Sequence, residues 1–167
     1  TNVFGFGENV RDRVEHMSKI RLLQERSLSK HYPGFTSFIS WPVMLENNAF
    51  GKLGNRRGAT NLGAGSVEYL RHLSVSRLFM NNIDHIQSSW PTMGLKVAQI
   101  ALTAGADDIG STMMEENVVS ASGTTKTMAS IAELEESILN CGFTPARRDS
   151  DYNILENLGA GEPQLEI

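Results

Sequence analysis

Hydrophobic positions along this chain switch repeatedly between a strand-like and a helical rhythm. In residues 1–7, Val3, Phe4 and Phe6 sit among glycines, as in a short buried strand ending in a tight turn at Gly7 and Glu8. From Val10 the spacing becomes helical. Val10, Val14, Met17, Ile20, Leu22, Leu23 and Leu28 recur near the 3.6-residue period, Arg11, Asp12, Arg13 and Glu15 fill the other face, and Asn9 stands at the N-cap position. This predicts a helix over residues 10–28 with its apolar stripe in the core.

After a break at 31–34, residues 35–41 are rich in strand formers and are stopped by Pro42. Residues 45–64 are Asn/Gly-rich and aperiodic, a long loop of the kind usually functional or mobile. Residues 66–81 predict a second helix with Val67, Leu70, Leu73 and Leu78 as its stripe, and residues 83–90 a third strand ended by Pro91. Residues 93–104 read as a third helix, 107–112 as the end of a fourth, buried strand, and 113–121 as a helical turn or short helix. Residues 130–142 form an amphipathic helix (Ile131, Leu134, Ile138, Leu139), followed by a basic-then-acidic closing segment over 143–154. From Asn157 the Gly/Pro/Glu-rich end is expected to be disordered.

Strand and helix alternate four times without a hairpin signal, so the expected fold is α/β with parallel strands and crossover helices. Four such units are half of an eight-stranded barrel. Residues 1–123 would be those units, 124–156 an extension packed on them, and 157–167 a tail.

Composition narrows the class. With 167 residues, 40% hydrophobic and 20% charged, the chain can form one globular domain with a real core. A net charge of −4 with scattered Lys and Arg argues against a nucleic-acid surface; the basic pair that stands out, Arg56–Arg57, lies in the Asn/Gly-rich stretch. No apolar run approaches the roughly 18 residues of a membrane helix, and no signal peptide is visible, so neither a membrane nor a nucleic acid is an expected partner. One cysteine, Cys141, excludes an internal disulfide and cannot by itself hold a metal cluster. The opening at Thr1 on a strand-like run suggests a fragment.

Candidate chemistry concentrates in residues 105–123. Asp107, Asp108, Ser111, Thr112, Glu115, Glu116, Asn117 and Ser120 crowd the predicted strand-to-helix junction, where α/β enzymes place substrate ligands. Individually, Glu115 and Glu116 could instead complement a helix dipole, and Asp107 and Asp108 could cap a turn. The other strands end in Glu8, Trp41, and Gln87 with Ser89 and Trp90; the two tryptophans could stack on a planar ligand or simply pack. Gly5, Gly7 and Glu8 form a GxGE turn that admits close backbone approach, or serves only as a turn. The four histidines show no metal spacing, and no GxSxG elbow, Walker loop or CxxC is present.

Taken together these segments resemble the C-terminal half of the radical S-adenosylmethionine enzymes of futalosine-dependent menaquinone synthesis and the related deazaflavin synthases. The Gly5–Glu8 turn looks like the fifth-strand motif near S-adenosylmethionine, 34–42 the sixth strand, 86–90 the seventh, 105–119 the eighth, and 142–149 the closing segment. The resemblance covers about residues 2–155, and the wording of 110–119 is most like the branch that cyclises dehypoxanthine futalosine. It implies the C-terminal half of a radical-SAM (β/α)8 barrel with a closing helical segment, in a cytoplasmic enzyme that uses S-adenosylmethionine, a [4Fe-4S] cluster and an electron donor. The cluster-binding CxxxCxxC belongs to the N-terminal half of that family and is absent from these residues, so the missing half is itself an expected partner. The resemblance implies that a nucleoside-derived substrate meets Asp108, Ser111, Thr112, Glu115, Glu116, Asn117, Trp41, Gln87 and Trp90, with Gly5, Gly7 and Glu8 on the cofactor side; no catalytic residue or metal ligand is assigned. Aminofutalosine synthase or deazaflavin synthase is the alternative within the family. A non-catalytic half-barrel that binds a partner chain is the alternative of another class.

Overall fold

The computed structural model describes residues 1–56, 62–113 and 128–157. The first helical unit begins with strand β1 (Asn2–Phe4) and helix α1 (Val10–Ser29). Asn9 caps α1 as its sequence position predicts. Its side chain accepts from the Asp12 N–H, and the Asp12 carboxylate accepts from the Asn9 N–H in return, a closed capping box. Strand β2 (Ser37–Pro42) follows, then α2 (Ala49–Arg56), α3 (Ser66–Phe79) and β3 (His85–Gln87). Pro42 is accommodated because it is the last strand residue, and the next N–H, of Val43, carries the ladder on to the Phe4 carbonyl at 2.7 Å. A short helix α4 (Trp90–Met93), then α5 (Leu95–Thr103), α6 (Ile131–Leu139) and strands β4 (Ala146–Arg148) and β5 (Ile154–Asn157) complete the described chain.

The central sheet is parallel, in the order β1-β2-β3, with Val3 opposite Trp41 and Ile39 opposite Gln87. The chain is α/β, as the alternation predicts. Side chains alternate across a strand, and Phe4, Phe38 and Ile86 point into the core formed with Met17, Tyr69, Leu73, Met80 and Trp90. Val3, Ser37, Ile39, Trp41, His85 and Gln87 therefore occupy the other face. No described helix is long and apolar enough to cross a membrane.

Several expectations are corrected. The fourth strand reduces to a single parallel bridge, Gln87 to Asp108, because Asp108 and Gly110 turn the chain away after one rung. The stretch 45–64 carries helix α2 instead of loop alone. Trp90 does not end a strand: it opens α4, with Pro91 at the helix start, where its missing N–H costs nothing. Gly94, at φ 81°, interrupts the helix expected over 93–104, so that Met93 closes α4 and α5 begins at Leu95. The closing segment holds an antiparallel hairpin, β4–β5, with a bulge between Arg147 and Arg148.

The expected stripes of α1 and α3 face the core in part: Met17 and Leu73 are buried, and Val14, Ile20 and Leu70 pack against the core. Along α1 Met17 and Gln24 are buried while Leu22, Leu23 and Leu28 are exposed. Along α3 the buried positions are Tyr69, His72, Leu73 and Ser76, and Val67 and Leu78 face outward. Polar residues hold the core-facing places because they complete backbone hydrogen bonds there. Gln24 donates to the carbonyls of Phe35 and Asn82, both at 3.0 Å, and accepts from the Phe35 N–H at 2.6 Å. The Tyr69 hydroxyl accepts from the Ser89 N–H at 2.7 Å. The expected helix at 113–121 and the expected tail beyond Asn157 lie outside the described residues, apart from Met113 at the start of that helix.

Candidate functional site

The edge segment after α5 gives its two aspartates separate duties. Asp107 ties secondary elements together. Its carboxylate accepts from the Ile86 N–H at 2.7 Å and from the Arg77 guanidinium, and it meets His85 Nδ1 at 2.6 Å. Arg77 also donates to the carbonyls of Gly105 (2.6 Å) and Asp84 (2.9 Å), so α3, β3 and the edge segment are joined through one ion pair.

Asp108 faces the C-terminal hairpin. Its Oδ1 accepts from the Gly110 N–H at 2.7 Å; its Oδ2 accepts from Arg148 Nη2 at 2.5 Å and from the Tyr152 hydroxyl at 2.6 Å. The side chain is only 9% exposed. A carboxylate can accept about four hydrogen bonds, so among the described residues three are taken and one acceptor site is left. The Tyr152 ring stacks on His85 at 4.0 Å with an interplanar angle of 9°, and the Arg148 guanidinium packs on the same ring at 4.0 Å. Burial, reinforced by the hydrogen bond to Asp108, pushes the Tyr152 hydroxyl up to about 12, against the lowering contact of Ser37. It therefore stays a proton donor to Asp108 at neutral pH.

Beside this network lies a cavity of about 710 Å³ whose polar wall includes Asp108, Ser111, Thr112 and Arg148, with Leu134 and Phe143 on its apolar side. Gln87 is close by. Its amide lies so near Gly110 (φ 88°) that a Cβ there would meet Nε2 at 2.5 Å. Of the expected site residues, the structure thus brings Gln87, Asp108, Ser111 and Thr112 together. Trp90 sits beneath them, 2% exposed, donating from Nε1 to the Ser111 carbonyl at 2.9 Å; it packs and buttresses the segment. Trp41 is 41% exposed on the sheet face opposite Phe4 and Phe38, with its indole open to contact. Glu115, Glu116 and Asn117 lie outside the described residues.

The Gly5–Glu8 turn is a separate constellation at the end of β1. Glu8 accepts from the N–H groups of Gly5 (2.8 Å) and Phe6 (2.7 Å) and from Arg13 Nε (2.7 Å). Partial burial alone would raise its pKa; those hydrogen bonds outweigh it and hold the carboxyl below the usual range. The glycine at position 5, at φ 94°, admits a close neighbour, which here is the backbone of Gly63: its N–H reaches the Gly5 carbonyl at 2.7 Å, and a Cβ on Gly5 would lie 2.9 Å from the Gly63 carbonyl carbon.

Sequence reasoning missed Tyr152 and Arg148 as site residues. The nearest signal was a tyrosine inside an Asp/Asn-rich turn directly after an Arg pair, and nothing local ties that turn to Asp108, 44 residues earlier.

The model of the CofH/MqnC C-terminal region matches residues 32–160. The chain belongs to the CofH/MqnC family. Its similarity to curated members runs almost end to end. It is 38% identical, over 93% of its length, to a cyclic dehypoxanthine futalosine synthase of Halalkalibacterium halodurans, and 39% identical over 93% to one of Streptomyces coelicolor. It is 34% identical, over 95%, to a 5-amino-6-(D-ribitylamino)uracil–L-tyrosine 4-hydroxyphenyl transferase of Methanothermobacter thermautotrophicus. The chain spans 38%, 35% and 41% of the length of these three CofH/MqnC relatives.

Proposed function

We propose that these residues form the C-terminal half of a (β/α)8 barrel in a cytoplasmic radical S-adenosylmethionine enzyme that cyclises dehypoxanthine futalosine to cyclic dehypoxanthinyl futalosine, a step of menaquinone synthesis. The identity of 38% and 39% to two synthases named for that product, over 93% of the chain, carries the reading. The parallel sheet, with helices packed on the face that carries Phe4, Phe38 and Ile86 and with Val3 and Trp41 exposed on the other, supports it, since a barrel interior needs a second sheet face.

This chain's residues do not fit an iron–sulfur cluster. The single cysteine, Cys141, donates its thiol to the Gln99 carbonyl at 3.1 Å between α5 and α6, and no group of three or more His, Cys, Asp or Glu is placed to hold a metal among the described residues. In the proposed enzyme the cluster thiolates come from elsewhere in the whole protein, as does the docking site of the electron donor. S-adenosylmethionine, when bound, supplies the radical that abstracts hydrogen from substrate. Within the Gly5–Glu8 turn, the Gly63 backbone already packs on Gly5 and Glu8 occupies the N–H groups of Gly5 and Phe6. The turn is therefore not a source of free donors, and Gly7, also at positive φ, is the glycine left to pack against the cofactor.

The substrate contacts assigned to this half are polar. Asp108 keeps one acceptor site for a hydroxyl or amine, Ser111, Thr112 and Gln87 flank it, and Trp41 offers an aromatic face on the open side of the sheet. Glu115, Glu116 and Asn117 complete the proposed set, and Trp90 supports it from below. A second reading, hydroxyphenyl transfer from tyrosine to a ribitylaminouracil, is favoured by the 34% identity over 95% of the chain to an enzyme of that name. The test is product analysis with the whole protein under anaerobic reducing conditions with S-adenosylmethionine. Dehypoxanthine futalosine should give the cyclic product. A tyrosine–uracil adduct would move the protein to the second reading, and neither product would refute both.

A further inference from the structure

The hairpin β4–β5 is built around an aimed pair of side chains. Asp149 organises its tip, accepting from the N–H groups of Asp151 and Asn153, both at 2.9 Å, and from Asn153 Nδ2 at 2.8 Å. That turn holds Tyr152 at φ 65°, a left-handed conformation unfavourable for an aromatic residue. The bulge between Arg147 and Arg148 re-aims the strand just before it. Both departures from regular geometry end at one place, Asp108 Oδ2, where Arg148 and Tyr152 converge at 2.5 and 2.6 Å. The preceding residue of the strand, Arg147, instead pairs outward with Glu135 and Glu156, at 2.8 and 2.9 Å.

We propose that Arg148 and Tyr152 are positioning residues that hold the Asp108 carboxylate in one rotamer, with its remaining acceptor site directed to the substrate. This rests on the reading of Asp108 as a substrate ligand. Two donors on one oxygen remove the freedom of the carboxylate to rotate. The ring of Tyr152, wedged against His85 and Arg148, fixes both donors in turn. A carboxylate so held meets a substrate hydroxyl without first having to be ordered.

The experiment is a double-mutant cycle in the whole protein, on whichever of the two reactions it performs. Tyr152→Phe keeps the ring stack and removes one donor; Asp108→Asn removes the charge that both donors serve. Each should lower kcat/KM about tenfold, mainly through KM, and the double variant should be no worse than Asp108→Asn alone, because Tyr152 acts through Asp108. Arg148→Lys, which keeps a charge but loses the stack, should lie between wild type and Arg148→Ala. Arg147→Ala, on the same hairpin, should leave KM unchanged. Additive losses in the cycle, or an equal KM rise in Arg147→Ala, would reduce the pair to ordinary hairpin docking and overturn the proposal. So would an active Tyr152→Phe with wild-type KM. A wild type that turns over neither substrate fails the functional reading itself and takes the positioning role with it; an active wild type with additive variants fails the positioning role alone.

Discussion

Burial of His72 against Phe4, with ring centroids 4.4 Å apart and the Asn2 amide at 3.5 Å, keeps its imidazole neutral in the folded protein. Desolvation, with the nearby Arg13 cation, pulls its pKa from 6.5 down to about 4. The folded value lies below the unfolded one, so between these two values the unfolded chain binds more protons. Stability is then full above about 6.5 and falls as pH drops toward about 4. Thermal unfolding of the whole protein should lose roughly 2–3 kcal/mol over that window, and His72→Gln should flatten the loss; an unchanged slope in the variant would dismiss His72 as its source. Gln24 poses the complementary case. Its three hydrogen bonds to backbone groups make Gln24→Leu, which looks conservative for a buried helix position, destabilising by about 2–4 kcal/mol, since the partners stay buried and unsatisfied. Urea unfolding checks this, and a variant as stable as wild type would refute it.

At the scale of elements, capping decides where helices begin, and close approach decides where they dock. Ser130 and Glu133 close a capping box on α6 as Asn9 and Asp12 do on α1. Helix α2 shows the second influence. Ala is favoured over Gly in a helix interior by about 1 kcal/mol, yet a Cβ at Gly51 would lie 1.9 Å from the Leu45 carbonyl oxygen. Gly51→Ala should therefore lower the melting temperature of the whole protein, contrary to propensity. It should also disturb the edge-to-face contact of Phe50 with Phe6, now at 5.4 Å, near the Gly5–Glu8 turn. A raised melting temperature would show that α2 is free to shift.

At the scale of the whole molecule, several large apolar side chains of the described surface are exposed. Leu22 and Leu23 of α1, with Val67 and Leu78 of α3, face outward, and Val3, Phe6 and Trp41 lie open near the β1–β2 side of the sheet. Among the described strands β1 has one unpaired edge, which invites association. The 167-residue chain expressed alone should self-associate in light scattering. Anaerobic reconstitution should leave it without a stoichiometric cluster, because one cysteine cannot supply the thiolates. A monodisperse monomer, or a stable cluster spectrum on this chain, would count against each expectation in turn.

The sequence by itself determined the α/β alternation, the parallel order, the start of α1 at Asn9, the stop of β2 at Pro42 and the family likeness, because period, caps and proline act over a few residues. Only the tertiary structure decided which members of each stripe face the core: Met17 and Leu73 do, Leu22, Leu23 and Leu78 do not, and polar Gln24, His72 and Ser76 are buried as well. It also turned Trp90 from a strand end into a buried support and reduced the fourth strand to one rung. Asp108 shows the limit most directly. Its position in an acidic, hydroxyl-rich run was legible, but its partners come from residues 40 and 44 positions later. A hydrogen bond closed over such a span leaves no local pattern; it exists only once packing has brought the hairpin to the sheet edge.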